Sequence, residues 1–292
     1  MAITAIAYHR PASLAEACEL GRRLGADAAF LAGGTELLPD YQRERETARH
    51  LIALDTLEEL HGIRVDSALL RIGALATVAQ VAASPLVRQW FPALAEAARA
   101  IGSPQIRSRA TIGGNFCRAV PCADTPPAAV VGGARLRLVG PGGERELNAE
   151  DFFVGSRQTV LQTGDLLVEI VIPTQPKRSG ASYQRFARRQ GPALAVAAVA
   201  ARVELKGRTI VAARIALGAV APVPLLATRA AAVLVGKVAS AELFAQAASV
   251  SADEALPITD LRGSAAFRHE LVAVLTRRAL IEATARAGGQ SR

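Results

Sequence analysis

Cysteine, methionine and aromatic residues are scarce in this 292-residue chain, which has three Cys, one Met and one Trp, with Phe, Tyr and Trp together at 4%. Cys18, Cys117 and Cys122 are too few for a disulfide scaffold, which suits a reducing, cytoplasmic setting. So few aromatics cannot interleave with basic residues along a nucleic-acid groove. The formal charge of +8 comes from arginines spread along the whole length, without a dense basic run. It reads as a solvated surface, part of which faces acidic cofactors or partners, and not as a nucleic-acid footprint. Met1 to Arg10 lacks a basic start followed by an apolar stretch, so no signal peptide is expected. The most apolar stretch, Ala193 to Ala201, is far shorter than the ~20 residues of a membrane span. The expectation is a soluble protein of the cytoplasm.

Common catalytic signatures are missing too. There is no Gly-x-Ser-x-Gly, no Walker A and no Gly-x-Gly-x-x-Gly, and His9, His50, His61 and His269 have no metal-ligand spacing. Asp165 and Glu169, four apart around a strand, are expected to face solvent and not to form an acid–base pair.

What remains is an ordered chain, 51% hydrophobic and 21% charged, long enough for two compact units. A β-like piece at Ile3–Tyr8 leads into Ser13 and Glu16, which have capping-box spacing and predict a helix to about Leu24. Strands are expected at Ala28–Leu31 and Leu51–Asp55, closing a small α/β unit. Beyond Leu57 the pattern predicts a strand at Leu69–Leu75, a helix start at Thr77–Ala83 and a helix at Phe91–Ile101. A polar loop at Gly102–Ala110 follows, then strands at Ala134–Val139 and Leu166–Ile172, the last ended by Pro173. Pro176 and Gly180 mark a linker, with a domain boundary after residue 175. Past it come a hairpin turning at Lys206-Gly207, a helix at Ser240–Val250 and a long one at Ala265–Ala287, with Gly288-Gly289-Gln290 as a frayed tail.

Two glycine-bearing segments draw attention. Ala32-Gly33-Gly34-Thr35 follows a buried strand and precedes a helix signal, so backbone N–H groups there can approach and cradle an anion. Thr111-Ile112-Gly113-Gly114-Asn115 repeats the features, with Thr111 and Asn115 as flanking donors. Asp124 follows in a stiff, proline-rich stretch suited to holding a ribose or ribityl hydroxyl. Two cradles and a placed carboxylate suit a dinucleotide. On these residues alone, two turns and a helix cap account for the same pattern.

The strings Phe30-Leu-Ala-Gly-Gly-Thr-Glu-Leu37 and Gly102-Ser-Pro-Gln-Ile-Arg-Ser-Arg-Ala-Thr-Ile-Gly-Gly-Asn115 resemble the flavin subunits of the xanthine dehydrogenase family. The resemblance is nearest to the separate medium subunits of bacterial enzymes such as carbon monoxide dehydrogenase. Ala119 to Pro127, Gly164 to Pro173, Tyr183 to Arg189 and Asp260 to Arg268 continue it in order. It implies an α+β fold: a two-part FAD-binding domain over residues 1–175, divided near residue 56, then a smaller C-terminal α+β domain over 176–292.

By the family pattern Leu31, Ala32, Gly33, Gly34, Thr35, Glu36, Leu37 and Leu38, with Thr111, Gly113, Gly114 and Asn115, wrap the FAD diphosphate and its neighbouring atoms. Ile101, Gly102 and Ala123 belong to the same site, Asp124 holds a cofactor hydroxyl, and Leu167 packs against the flavin. Arg185 stands where relatives usually carry lysine. One branch of the family carries a [4Fe–4S] cluster on this subunit, which needs four thiolates and an inserted loop. Three cysteines and no insertion between Asn115 and Asp124 predict no metal here. The resemblance implies an electron relay with no catalytic residue of its own. Its partners would be a large molybdopterin-binding subunit and a small [2Fe–2S] subunit, assembled as a dimer of heterotrimers. A free-standing FAD enzyme would need its own base and pocket, and a flavin-free assembly subunit would need damaged glycine segments.

Overall fold

The structure, a computed structural model, describes residues 6–189 and 191–289. The expected start of the first strand at Ile3 and the end of the tail at Gln290 lie outside the described residues.

The chain opens with a three-stranded parallel sheet of β1 (Ala7–His9), β2 (Ala28–Leu31) and β3 (His50–Ala53), in the order β1-β3-β2. Helix α1 (Leu14–Leu24) and the shorter α2 (Leu37–Gln42) lie in the two crossovers. Ser13 Oγ accepts the Glu16 N–H at 3.2 Å as expected. The Glu16 carboxylate, however, takes the N–H of Ala12 at 2.7 Å, so the reciprocal half of the cap sits one residue early. Ala17 and Cys18 bury against Ile52 and Leu54, which closes the small α/β unit.

A five-stranded antiparallel sheet comes next, built from β4 (Ile63–Asp66), β5 (Leu69–Gly73), β6 (Arg135–Gly140) and β7 (Gly143–Asn148) around a later central strand. The two-stranded β8 (Phe153–Gly155) and β9 (Gln158–Thr159) precede that central strand, β10 (Leu166–Pro173), and the order is β4-β5-β10-β6-β7. Between β5 and β6 runs a series of short helices: α3 (Val78–Ala83), α4 (Pro85–Trp90), α5 (Pro92–Ala100), α6 (Pro104–Arg107), α7 (Ile112–Cys117) and α8 (Thr125–Val131). One expectation is corrected here, and two segments left without an assigned element gain one. The polar loop contains α6, capped by Ser103. The second glycine segment is the N-cap and first turn of α7. The proline-rich stretch opens α8, whose Pro126 and Pro127 sit in the first turn, where a missing N–H is tolerated.

β10 is buried along its length, and a bulge between Leu167 and Glu169 breaks its alternation. Leu166 and Val168 pack toward α1, whereas Leu167, Ile170 and Ile172 pack toward the helices. The bulge places Glu169 among Arg64, Arg71 and Arg137, so the expectation that it faces solvent is wrong. Its side chain is 1% exposed and accepts from Arg64 at 2.6 Å and Arg71 at 2.7 Å. Asp165 is buried as well, taking Arg145 at 2.7 Å and the Gln162 N–H at 2.7 Å. Residue spacing along one strand carries no record of a bulge or of arginines on the flanking strands.

The last part is an antiparallel sheet of β11 (Ser179–Phe186), β12 (Ala197–Lys206), β13 (Thr209–Gly218) and β14 (Leu225–Leu226), in that order. It carries α9 (Thr228–Leu234), α10 (Ala241–Glu254) and α11 (Ala265–Ala287) on one face. Strand β11 starts inside the expected linker. A side chain at Gly180 would collide with the Ala283 carbonyl, so glycine there permits α11 to lie close against the strand. On β12, Val199, Ala201 and Val203 face these helices, while Ala198 and Ala200 join the core of the five-stranded unit. Among the described residues no helix is long and apolar enough to cross a membrane.

Candidate functional site

The first glycine segment caps the C-terminal end of β2. Gly34 has φ +72°, a left-handed conformation natural to glycine. The N–H groups of Gly33, Gly34, Thr35 and Glu36 have no acceptor among the described residues, so four consecutive donors are free at one place. Such an array is a nest for phosphate oxygens. The residues present therefore fit a dinucleotide diphosphate at this segment.

The second glycine segment behaves differently. Its N–H groups are consumed inside the chain: Ile112 donates to Ala76 O at 3.0 Å and Gly113 to Ala74 O at 2.8 Å. Gly114 donates to Thr111 Oγ1 at 3.1 Å and Asn115 to Thr111 O at 3.0 Å. The expected second cradle of free backbone donors is therefore corrected. A Cβ at Gly113 would press on Ala74, whereas Gly114 is exposed and a Cβ there would meet only Thr111 Oγ1. Gly113 permits close packing; Gly114 leaves a smooth, side-chain-free surface.

Tertiary contacts gather the separate segments. A Cβ on Gly33 would collide with the Arg109 carbonyl, so the first segment lies against the residues leading into Thr111. Arg118, just past the second segment, reaches back to Glu36 at 2.9 Å and also pairs with Asp40. Ala74 links Gly113 to the central strand, since its own N–H donates to Val168 O at 2.9 Å beside Leu167. Thr125 Oγ1 donates to Asn115 Oδ1 at 2.6 Å, bringing Ala123 and Asp124 alongside. Arg185 donates to Ala100 O at 2.7 Å, next to Ile101 and Gly102, and Arg107 donates to Ile101 O at 2.9 Å. Leu37 is half-buried, and Leu38 is exposed beside Gly34.

Asp124, 5% exposed, has both carboxylate oxygens engaged. Tyr183 Oη donates to Oδ1 at 2.5 Å, and Arg185 Nη1 donates to Oδ2 at 2.9 Å. Burial raises the Asp124 pKa; the Arg185 charge and the two hydrogen bonds pull it down without cancelling the rise. Burial, followed by the Asp124 charge, lifts the Tyr183 phenol well above its ordinary value. Arg185 also donates to Ala193 O at 2.7 Å and is only 13% exposed. It is thus a largely enclosed clamp whose charge is paired with Asp124. Sequence reasoning missed Tyr183, although it lies in the matched string Tyr183 to Arg189.

Among the described residues no group of three or more His, Cys, Asp or Glu could hold a metal ion. A cleft of about 610 Å³, lined in part by Arg88, Trp90, Gln175 and Lys177, lies elsewhere, and no candidate cofactor residue lines it.

Known families match the chain over nearly its whole length. The profile described as the FAD binding domain in molybdopterin dehydrogenase matches residues 4–175. The chain belongs to that family. The CO dehydrogenase flavoprotein C-terminal domain matches residues 181–283 of this flavoprotein-family member. It is 36% identical over 279 residues to the carbon monoxide dehydrogenase medium chain of Hydrogenophaga pseudoflava, covering 96% of this chain and 97% of the relative. It is 30% identical over 285 residues to the putative xanthine dehydrogenase FAD-binding subunit of Escherichia coli K12, covering 97% of each. Its fold matches a structure of Hydrogenophaga pseudoflava carbon monoxide dehydrogenase with TM-score 0.94 and 37% identity, over 98% of this chain and 99% of that one. Quinoline 2-oxidoreductase from Pseudomonas putida 86 matches with TM-score 0.91 and 32% identity, over 99% of each chain.

Proposed function

We infer that this chain is the FAD-carrying subunit of a heteromeric molybdenum hydroxylase and serves as an electron relay. The four free N–H groups of residues 33–36 carry the reading, because a diphosphate needs such donors and none of the described residues uses them. Bound FAD supplies the redox chemistry, taking electrons from iron–sulfur clusters of a partner and releasing them to an external acceptor. The chain's own residues bind and orient. Gly33 and Gly34 admit the diphosphate, Gly114 and Asn115 border it, and Leu167 packs beside the ring. Asp124 accepts from a cofactor hydroxyl. Each of its oxygens holds one protein donor and keeps a second lone pair for a ligand. Because Asp124 offsets its charge, Arg185 acts by position, holding Ala100, Asp124 and Ala193 together.

The C-terminal domain begins after residue 175 and helps to complete the site. The partners are a large molybdopterin-binding subunit and a small [2Fe–2S] subunit, in a dimer of heterotrimers within the cytoplasm. Expression with the genes of such partners tests the reading. The expected product is a co-purifying complex in which this chain holds one releasable FAD. A flavin-free chain, or one that binds FAD and transfers electrons without partners, would overturn it.

A further inference from the structure

We infer that Tyr183 is a positioning residue of the cofactor site, acting through the carboxylate of Asp124. The inference rests on the reading of Asp124 as an FAD ligand. Asp124 precedes α8 in the FAD-binding part of the chain, whereas Tyr183 comes from β11 of the C-terminal sheet. The hydroxyl meets Asp124 Oδ1 at 2.5 Å, and Arg185, two residues along the same strand, meets Oδ2 at 2.9 Å. Residues i and i+2 of a strand share a face, so one strand delivers two donors to one carboxylate. The strand is itself held: the Tyr183 N–H donates to Glu96 Oε2 at 2.9 Å, and Glu96 on α5 pairs at 2.5 Å with Arg286 on α11.

Two donors fix the carboxylate plane, which a single pair would leave free to rotate. They also decide its protonation. Among the described residues the charged and titratable groups facing Asp124 or its partners are Tyr183, Arg185, the Cys122 thiol, Arg262 beside Cys122, and Glu96, which holds the Tyr183 N–H. Burial works against the charged form, and only Arg185 and the hydrogen bonds from Tyr183 and Arg185 oppose it. Removing the phenol oxygen deletes one of these supports while the buried ring still fills its place in the core. The carboxylate should then take up a proton at a higher pH and lose its fixed orientation. A merely structural tyrosine would alter neither property.

The test is FAD titration of the stripped full chain by flavin fluorescence, over a pH series from about 5 to 9. It compares wild type, Tyr183→Phe, Asp124→Asn and the double variant. Tyr183→Phe should bind FAD about tenfold more weakly, the scale for a lost hydrogen bond to a charged group. Its affinity should fall away at a higher pH than that of wild type as the solution is acidified. In the Asp124→Asn background the tyrosine change should add nothing. An unchanged affinity and pH profile in Tyr183→Phe would overturn the proposal, as would losses that add in the double variant. A weakening equal at every pH and matched by a lower melting temperature of the FAD-free chain would also overturn it. Wild type that binds no FAD would instead sink the underlying cofactor reading, and Asp124→Asn binding as wild type would remove Asp124 from it.

Discussion

Arg118 Nε donates to Glu36 Oε2 at 2.9 Å and so ties the turn after one glycine pair to the turn after the other. Both side chains are partly exposed, at 26% and 48%, so the pair itself contributes only ~0–1 kcal/mol. Asp40 shares the arginine but retains Arg157 at 3.7 Å. Arg118→Ala leaves the nearly buried Asp40 with only the exposed Arg157, and is expected to lower the melting temperature and to speed FAD dissociation. Stopped-flow release of flavin from variant and wild type measures this. An unchanged rate would show that the first segment keeps its shape without the tie.

The glycines of the two segments should separate by phenotype. Gly33→Ala forces a methyl into the Arg109 carbonyl and should cost ~1–3 kcal/mol of stability in the FAD-free chain. Gly114→Leu projects from an exposed position and should leave stability within ~1 kcal/mol while stripping flavin. Urea unfolding of the FAD-free variants, beside flavin content as purified, tests both. Full FAD occupancy in Gly114→Leu would remove that surface from the site.

Glu169 supplies the sharpest stability prediction. Its carboxylate is 1% exposed, whereas Arg71 and Arg64 are 22% and 52% exposed. Glu169→Gln weakens two charge-assisted hydrogen bonds but leaves only arginines that water reaches, and should destabilise by ~2–3 kcal/mol. Arg64→Ala removes a partner that water can partly replace and should cost ~1 kcal/mol or less. Equal losses in urea would show that the network is not centred on Glu169.

Asp260 sets an acid limit. Arg262 donates to it from Nη2 and Arg268 donates from Nη2, each at 2.7 Å. The Arg262 hydrogen bond first, then the others, hold its carboxyl well below the usual carboxylate range. A depressed carboxylate pKa stabilises the fold above the unfolded value of ~3.9, and the contribution is lost as pH falls toward the folded value. Asp260→Asn should therefore lower the melting temperature at neutral pH, with the gap to wild type closing below about pH 4. A gap that stays constant down to pH ~2 would rule out this linkage.

Much of this molecule was legible in its residues. The turn at Lys206-Gly207 and the helix Ala265–Ala287 stand where apolar spacing, caps and turn residues put them, because those signals are local. The glycine strings identify the family for a similar reason: close backbone approach tolerates little but glycine, so the requirement is written into consecutive positions. The glycines alone fit an ordinary turn as well, and it is the resemblance of the whole string to the family that singles the first segment out.

Other features arise only when distant parts meet. The N–H groups of Ile112 and Gly113 look as available as those of Gly33 and Gly34 until Ala74 and Ala76 arrive to accept them. Glu169 looks like an exposed strand residue until a bulge turns it among arginines from three other strands. Tyr183 lies 59 positions from Asp124, and only the packing of β11 on the FAD-binding part brings its hydroxyl to that carboxylate. Local sequence sets backbone preference and periodicity. Which donor finds which acceptor, and which charge loses its water, is a long-range outcome of packing, and here it decides which residues of the glycine segments stay free to bind.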